Sequence, residues 1–270
     1  MHTRRKFFKN LSLAGLLPLQ LRSQNETKTS QEVVLRFAVA SDGHFGQENT
    51  PYEMYYHHIV RWLNLEKKDK GLDLTFFNGD LIHDDPAFLP EVQQKLQALE
   101  MPFYTIRGNH DRVDRATWQK TWGYDTNHAF KHQQIGFILA DTSNEQGEYL
   151  CADVGWLENQ LQSYQDVEHV FIMLHISQND WATYGVSCPA VMEVLAAYDN
   201  VKAVFHGHDH QEDDVKFYKG KPFLYSGHFG GSWGVEYKGY RIVEVLGNGV
   251  IQAYQCNPLA NAQLYLHQLT

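Results

Sequence analysis

From residue 32 onward the apolar positions follow two rhythms. Short continuous runs rich in β-branched and aromatic residues predict buried strands at 33–40, 72–77, 103–106, 136–140, 170–174 and 201–205. Between them, apolar residues spaced at i, i+3 and i+4 predict amphipathic helices at 52–68, 88–99, 154–164 and 191–198. In the first helix the stripe is Tyr52, Tyr55, Tyr56, Ile59 and Leu63. Strands that alternate with helices and read as unbroken apolar runs imply a largely parallel sheet, covered on both faces. After residue 212 the helical rhythm stops. Runs at 221–225, 240–245 and 250–255 predict antiparallel strands, the last two joined across Gly247-Asn248-Gly249.

The polar residues are not scattered over this pattern. Asp42 and His44 follow the first predicted strand, Gly79-Asp80 the second, and Gly108-Asn109-His110-Asp111 the third. His175 ends a later strand and Gly207-His208-Asp209-His210 another. In α/β folds ligands bind outside the carboxyl ends of the strands, so five segments bring Asp, His and Asn to one edge of one sheet. Gly-His-x-His is the most specific piece, because alternate residues of an extended segment project to the same side.

Composition adds two facts. The chain of 270 residues holds fifteen histidines, and His, Asp and Asn together suit borderline metal ions. Six of the 23 Lys and Arg residues fall in the first thirty positions, against one acid there. The remainder carries seventeen basic and thirty-one acidic residues, a net of −14, which repels polyanions and excludes an electrostatically driven nucleic-acid binder. No apolar run is long enough to span a bilayer. Cys151, Cys188 and Cys256 form no CxxC pair and allow at most one disulfide.

Residues 1–30 read as an address followed by a linker. Thr3-Arg4-Arg5-Lys6-Phe7-Phe8-Lys9 precedes a short apolar stretch, a pattern similar to the twin-arginine export signal. It implies the twin-arginine export machinery as a partner and a periplasmic or secreted location, with residues 31–270 forming the catalytic domain.

The ordered blocks Asp42-x-His44, Gly79-Asp80, Gly108-Asn109-His110-Asp111, His175 and Gly207-His208-x-His210 resemble the five-block pattern of calcineurin-like metallophosphoesterases, in particular their bacterial phosphodiesterase branch. That resemblance implies a four-layer α/β/β/α sandwich, with the helix-poor C-terminal third supplying the second sheet. It implies two divalent or mixed-valence ions (Mn, Fe or Zn), bridged by Asp80. Asp42, His44 and His210 would complete one site, and Asn109, His175 and His208 the other. A metal-activated hydroxide would attack a small phosphate ester, with His110 assisting the leaving oxygen. Three residues after Asp80, purple acid phosphatases carry a tyrosine and protein phosphatases an aspartate that supports the catalytic histidine. This chain has His83 there, which argues against a purple iron site and leaves Asp111 as the candidate to orient His110. Asn109, His83 and His228, with Trp233, are the candidates for the substrate side; loops beside rigid sheets often carry function. His206 reads as a support for its neighbours, and residues 181–184 as either a rim of the site or a covered loop. The activity implied is phosphodiester hydrolysis. The alternatives are an exported phosphomonoesterase and a binding or sensing protein that has lost its chemistry, the latter disfavoured because every ligand position holds a competent residue.

Overall fold

The computed structural model describes residues 32–269, so the export signal expected in residues 1–30 lies outside the described part. The first half of the chain runs β1 (Val33–Ala40), α1 (Tyr52–Lys70), β2 (Leu74–Asn78), a short 3₁₀ turn, α2 (Leu89–Leu96), β3 (Phe103–Ile106) and α3 (Arg115–Trp122). Next come β4 (His128–His132), β5 (Ile135–Ala140), α4 (Val154–Ser163), β6 (His169–Leu174), α5 (Pro189–Ala197) and β7 (Val201–His206). The chain closes with β8 (Val215–Tyr218), β9 (Lys221–Tyr225), β10 (Tyr240–Leu246), β11 (Ile251–Asn257) and β12 (Ala262–Gln268).

Two six-stranded sheets result, in the orders β12-β11-β10-β1-β2-β3 and β4-β5-β6-β7-β9-β8. The period-two alternation of β1 shows how they pack. Leu35, Phe37 and Val39 face the second sheet, whereas Ala38 and Ala40 face the helices of their own side. Phe37 is the hub between the sheets. Its ring meets Phe76, Phe137, Phe171 and Phe205 at centroid distances of 5.7, 5.4, 4.9 and 5.9 Å. Burying one such side chain contributes about 1.5–3 kcal/mol. Tyr56, Ile59 and Leu63 of α1, Val92 and Leu96 of α2 and Trp118 of α3 cover the outer face of the first sheet. Leu157 and Leu161 of α4, with Val191, Met192 and Leu195 of α5, cover the second. These layers make the α/β/β/α sandwich that the family resemblance implied.

Two expectations are corrected. The C-terminal strands β10 to β12 do not build the second sheet; β10 pairs antiparallel with β1 and extends the first. β9, expected to be antiparallel, runs parallel to β7 and pairs antiparallel only with β8. A crossover back to β7 is possible because the short β8 hairpin partner occupies the sheet edge. Among the described residues no helix is long and apolar enough to cross a membrane.

Candidate metal centre

The parallel strands β1, β2 and β3 of one sheet and β6 and β7 of the other end on the same side of the sandwich. Their following residues therefore converge between two sheets, not along one sheet edge as the strand pattern alone suggested. Several turns there are sharp. Asp42, His44, Asp80 and His208 all have positive φ, between 45° and 65°. Such conformations are tolerated better by Asp and His than by most residues, yet cost about 1–3 kcal/mol each and persist only where the surroundings enforce them. Here they are enforced: Asp42 N–H donates to Gly79 O (3.1 Å) and His44 N–H to Asp80 O (3.0 Å). His208 is thus not in an extended segment, and the two histidines of the Gly-His-x-His block reach different partners. Gly207 is required by crowding, since a Cβ there would lie 1.8 Å from Ser41 Oγ and 2.7 Å from Asp42 Oδ2.

The converging side chains form two buried groups, Asp42-His44-His210 and Asp80-His175-His208, in each of which the donor atoms lie within 4.8 Å of one another. In the first, His210 Nε2 lies 3.1 Å from Asp42 Oδ1 and 3.0 Å from His44 Nε2. Asp80 reaches toward both groups: its Oδ2 is 3.2 Å from His175 Nε2 and 3.7 Å from His44 Nε2. The remote ring nitrogens are occupied, which turns Nε2 toward the centre. His175 Nδ1 donates to Asn78 O (2.6 Å) and His210 Nδ1 to Trp233 O (3.1 Å), while His44 Nδ1 faces His83 Nδ1 at 3.0 Å.

Two donor atoms have no partner: Asn109 Oδ1 and His208 Nε2 are buried without a hydrogen bond, whereas His175 Nε2 faces only the Asp80 carboxylate. Unsatisfied buried polar atoms are costly, and a cation at the centre would satisfy them. Charge states agree. Burial pushes His208 down to about 4, aided by the charge of His175, and pushes His44 well below the usual histidine range. Burial opposes ionisation of both carboxylates, but His210 and His175 bring Asp42 down to about 2, and His175 with its neighbours holds Asp80 well below normal. His175 is the exception: burial opposes its charge, but Asp80 and then Asp42 outweigh it and raise it to about 10. Neutral imidazoles and anionic carboxylates are the forms metals bind, and a proton on His175 stands in for positive charge that ions would bring. Four imidazoles, two carboxylates and one amide oxygen suit Mn, Fe or Zn.

The remaining sequence candidates separate. Asp111 does not orient His110. Its Oδ1 accepts from the N–H groups of Leu81 (2.8 Å) and Ile82 (3.1 Å), and its Oδ2 from that of Gly108 (2.6 Å). Burial, then the Asp80 charge, pushes Asp111 up to about 7; it ties the β2 and β3 turns together. The group at His110 is Asp84, which the sequence reading missed: Asp84 Oδ1 is 3.1 Å from His110 Nδ1 and accepts from Arg112 Nε at 2.6 Å. His83 contacts His44 and stacks on His110 with ring centroids 4.7 Å apart and 12° between planes. The side chains of His83 and His110 remain 23% and 25% exposed, at the mouth of the site. His228 is corrected: it is buried, stacked on His210 at 4.7 Å, with its ring nitrogens facing the carbonyls of Gly230 and Val235, so it backs a ligand and does not line the substrate side. Trp233 also stacks on His210, at 4.2 Å, and is partly exposed. His206 Nδ1 donates to Leu174 O, the supporting role expected of it.

Comparison with known proteins agrees with this geometry. Residues 35–212 match the model of the calcineurin-like phosphoesterase family. A curated relative, the probable glycerophosphodiester phosphodiesterase GpdQ of Arcobacter nitrofigilis, is 24% identical over 176 residues, covering 59% of this chain. The chain spans 63% of that relative's length. Among solved structures, a dimetal phosphatase from Danio rerio superposes with a TM-score of 0.71 at 14% identity, covering 88% of this chain and 99% of that one. The purple acid phosphatase PPD1 of yellow lupin gives 0.66 at 12% identity, covering 88% and 54%. With the family model matching well over half the chain, and with two buried His/Asp groups at the ends of its paired sheets, this protein belongs to the calcineurin-like phosphoesterase family.

Proposed function

We propose that this chain is an exported phosphodiesterase that uses two metal ions, one held by Asp42, His44 and His210, the other by Asn109, His175 and His208, with Asp80 shared. The observation that carries this reading is the pair of buried donor groups flanking one carboxylate, with the Asn109 and His208 donor atoms buried and unpartnered. When bound, two such ions supply Lewis acidity toward phosphoryl oxygens and acidify water. The chain's own residues do the rest. Asp80 is fixed by the His110 N–H, which donates to its Oδ1 at 2.8 Å. His110, at the mouth, protonates the departing oxygen through Nε2 while Asp84 holds Nδ1. Arg112 neutralises Asp84, its Nε donating to the same oxygen, Oδ1.

The name of the Arcobacter relative supports diesters, specifically glycerophosphodiesters, over monoesters. Export is supported by Arg4-Arg5 ahead of an apolar run and by the Cys151–Cys188 disulfide, a bond that persists mainly in oxidising compartments.

Elemental analysis of purified protein, read beside a panel of mono- and diesters, tests the proposal. Two ions per chain are expected, and Asp80→Asn should lower metal content and activity together, because the shared anion screens ion–ion repulsion. Full occupancy in Asp80→Asn would overturn the bridging assignment; turnover of monoesters alone would overturn the diesterase reading.

A further inference from the structure

Two loops beside His208 present aromatic rings to solvent. Tyr149, between β5 and α4, is 40% exposed, and Tyr184, between β6 and α5, is 52% exposed. Both rings stand edge-on to the His208 ring, at centroid distances of 4.7 and 5.9 Å. Two large rings left in water beside the donor groups forgo burial, and loops on a rigid scaffold are where substrate contacts concentrate.

The loops are clasped to each other. The Cys151–Cys188 disulfide joins them two residues after Tyr149 and four after Tyr184. The buried side chain of Gln178 reinforces the join: its Oε1 accepts from Ala152 N–H at 2.7 Å, and its Nε2 donates to Leu150 O at 3.2 Å. Val186 N–H donates to Ser177 O within the second loop (2.9 Å). Rings fixed before a ligand arrives lose little freedom on binding it, which is the benefit of preorganisation.

Charge narrows the ligand. Residues 141–153 and 176–188 contain Glu145, Glu148, Asp153 and Asp180 and no lysine or arginine; Asp141 is paired with Arg107, and Lys216 of β8 reaches Trp181 O at 3.4 Å. The loops thus supply no cation of their own to hold an anion, while aromatic rings attract apolar groups and cations. Position narrows it further. His83, His110 and Trp233 gather around His44 and His210, the first donor group, whereas Tyr149 and Tyr184 meet only His208 of the second. The leaving oxygen faces His110, so the tyrosines face a different substituent on phosphorus.

We infer that Tyr149 and Tyr184 form a subsite for the organic group that stays on phosphorus when a phosphodiester is cleaved, and that this group is neutral or cationic. The inference rests on the phosphodiesterase reading above. It names what separates a diester from a monoester here, since a monoester has no such group.

Substrates that share one leaving group isolate the subsite: p-nitrophenyl phosphate, p-nitrophenyl phosphorylcholine (cationic retained group) and the p-nitrophenyl ester of thymidine 5′-phosphate (neutral retained group). In each, water adds to phosphorus, the aryl P–O bond breaks and p-nitrophenolate departs. With the metal-loaded full chain, Tyr149→Ala and Tyr184→Ala should each raise KM for both diesters about three- to tenfold, the range of one aromatic contact. Metal content and kcat/KM for p-nitrophenyl phosphate should stay within about twofold of wild type, and Tyr149→Phe and Tyr184→Phe should restore the diester KM. Unchanged diester KM in both alanine variants, or equal losses on all three substrates, would overturn the subsite while leaving the phosphodiesterase reading standing. A wild-type protein that cleaves only p-nitrophenyl phosphate would sink that reading first.

Discussion

Asp84, not the adjacent Asp111, is the carboxylate that meets His110. Its carboxylate meets His110 Nδ1 because Asp84 adopts a left-handed turn (φ 64°) and its N–H donates to His110 O at 2.9 Å, fastening the two loops side by side. Asp84→Asn should lower kcat on an alkyl phosphodiester about 10–100-fold, the share of a general acid that its anchor secures. KM and metal content should not change, and an aryl ester should suffer little. A drop in metal content would instead assign Asp84 to holding the centre. Six of the seven proposed ligands stand next to a glycine or directly after an apolar run, where a strand must end, and His210 was legible from the Gly-His-x-His spacing. Asp84 was not, because nothing local marks a carboxylate whose partner lies twenty-six positions away.

Strand ends are the elements that position the centre, and β7 shows how tightly. His206 closes it, fully buried, stacked on Phe223 at 10° between planes, its Nδ1 donating to Leu174 O. Burial pushes it down to about 3. A folded-state value below the unfolded one means that, as pH falls from about 6.5 toward 3, the unfolded chain takes a proton the folded chain refuses, so stability is lost on acidification. His206→Phe keeps the ring stack, and Leu174 O keeps the Asn78 amide at 3.3 Å as a donor. Between pH 7 and 5 the wild type should therefore lose about 2 kcal/mol more than the variant, measured by urea unfolding at both pH values. Equal losses would mean that His206 titrates normally. The sequence predicted the buried strands closely, β3 at its observed bounds, since continuous apolar runs have few other uses. It missed α3, β4, β8 and β12. Helix α3 is short and mostly polar, defined by Asp114, whose side chain caps Thr117 N–H, and by Gly123 in the left-handed conformation. The three strands lie at sheet edges, where only one neighbour and one face constrain them and the apolar pattern thins out.

At the scale of the molecule, residues 1–30 are basic and the remainder carries a net of −14, the charge pattern behind the export proposed above. Twin-arginine export carries folded protein, so the centre would load its ions before leaving the cytoplasm. A reporter fused to residues 1–35 should lose export when Arg4 and Arg5 both become Lys; undiminished export would discard the route.

By itself the sequence determined which segments are buried strands, which are amphipathic helices, and where Asp, His and Asn cluster. Apolar rhythm is a local property that distinguishes buried strand from amphipathic helix, and glycine-flanked Asp, His and Asn at strand ends are local too. Tertiary structure decided which sheet each strand joins, because pairing joins distant segments: β10 lies beside β1, and β9 beside β7. It decided that the donors meet between two sheets, that His228 backs a ligand from inside, and that Asp84 rather than Asp111 faces His110. It also decided that one disulfide sets Tyr149 and Tyr184 on either loop beside His208. Each of these depends on how the two sheets stack around Phe37, and distance through space is not written in the order of residues along the chain.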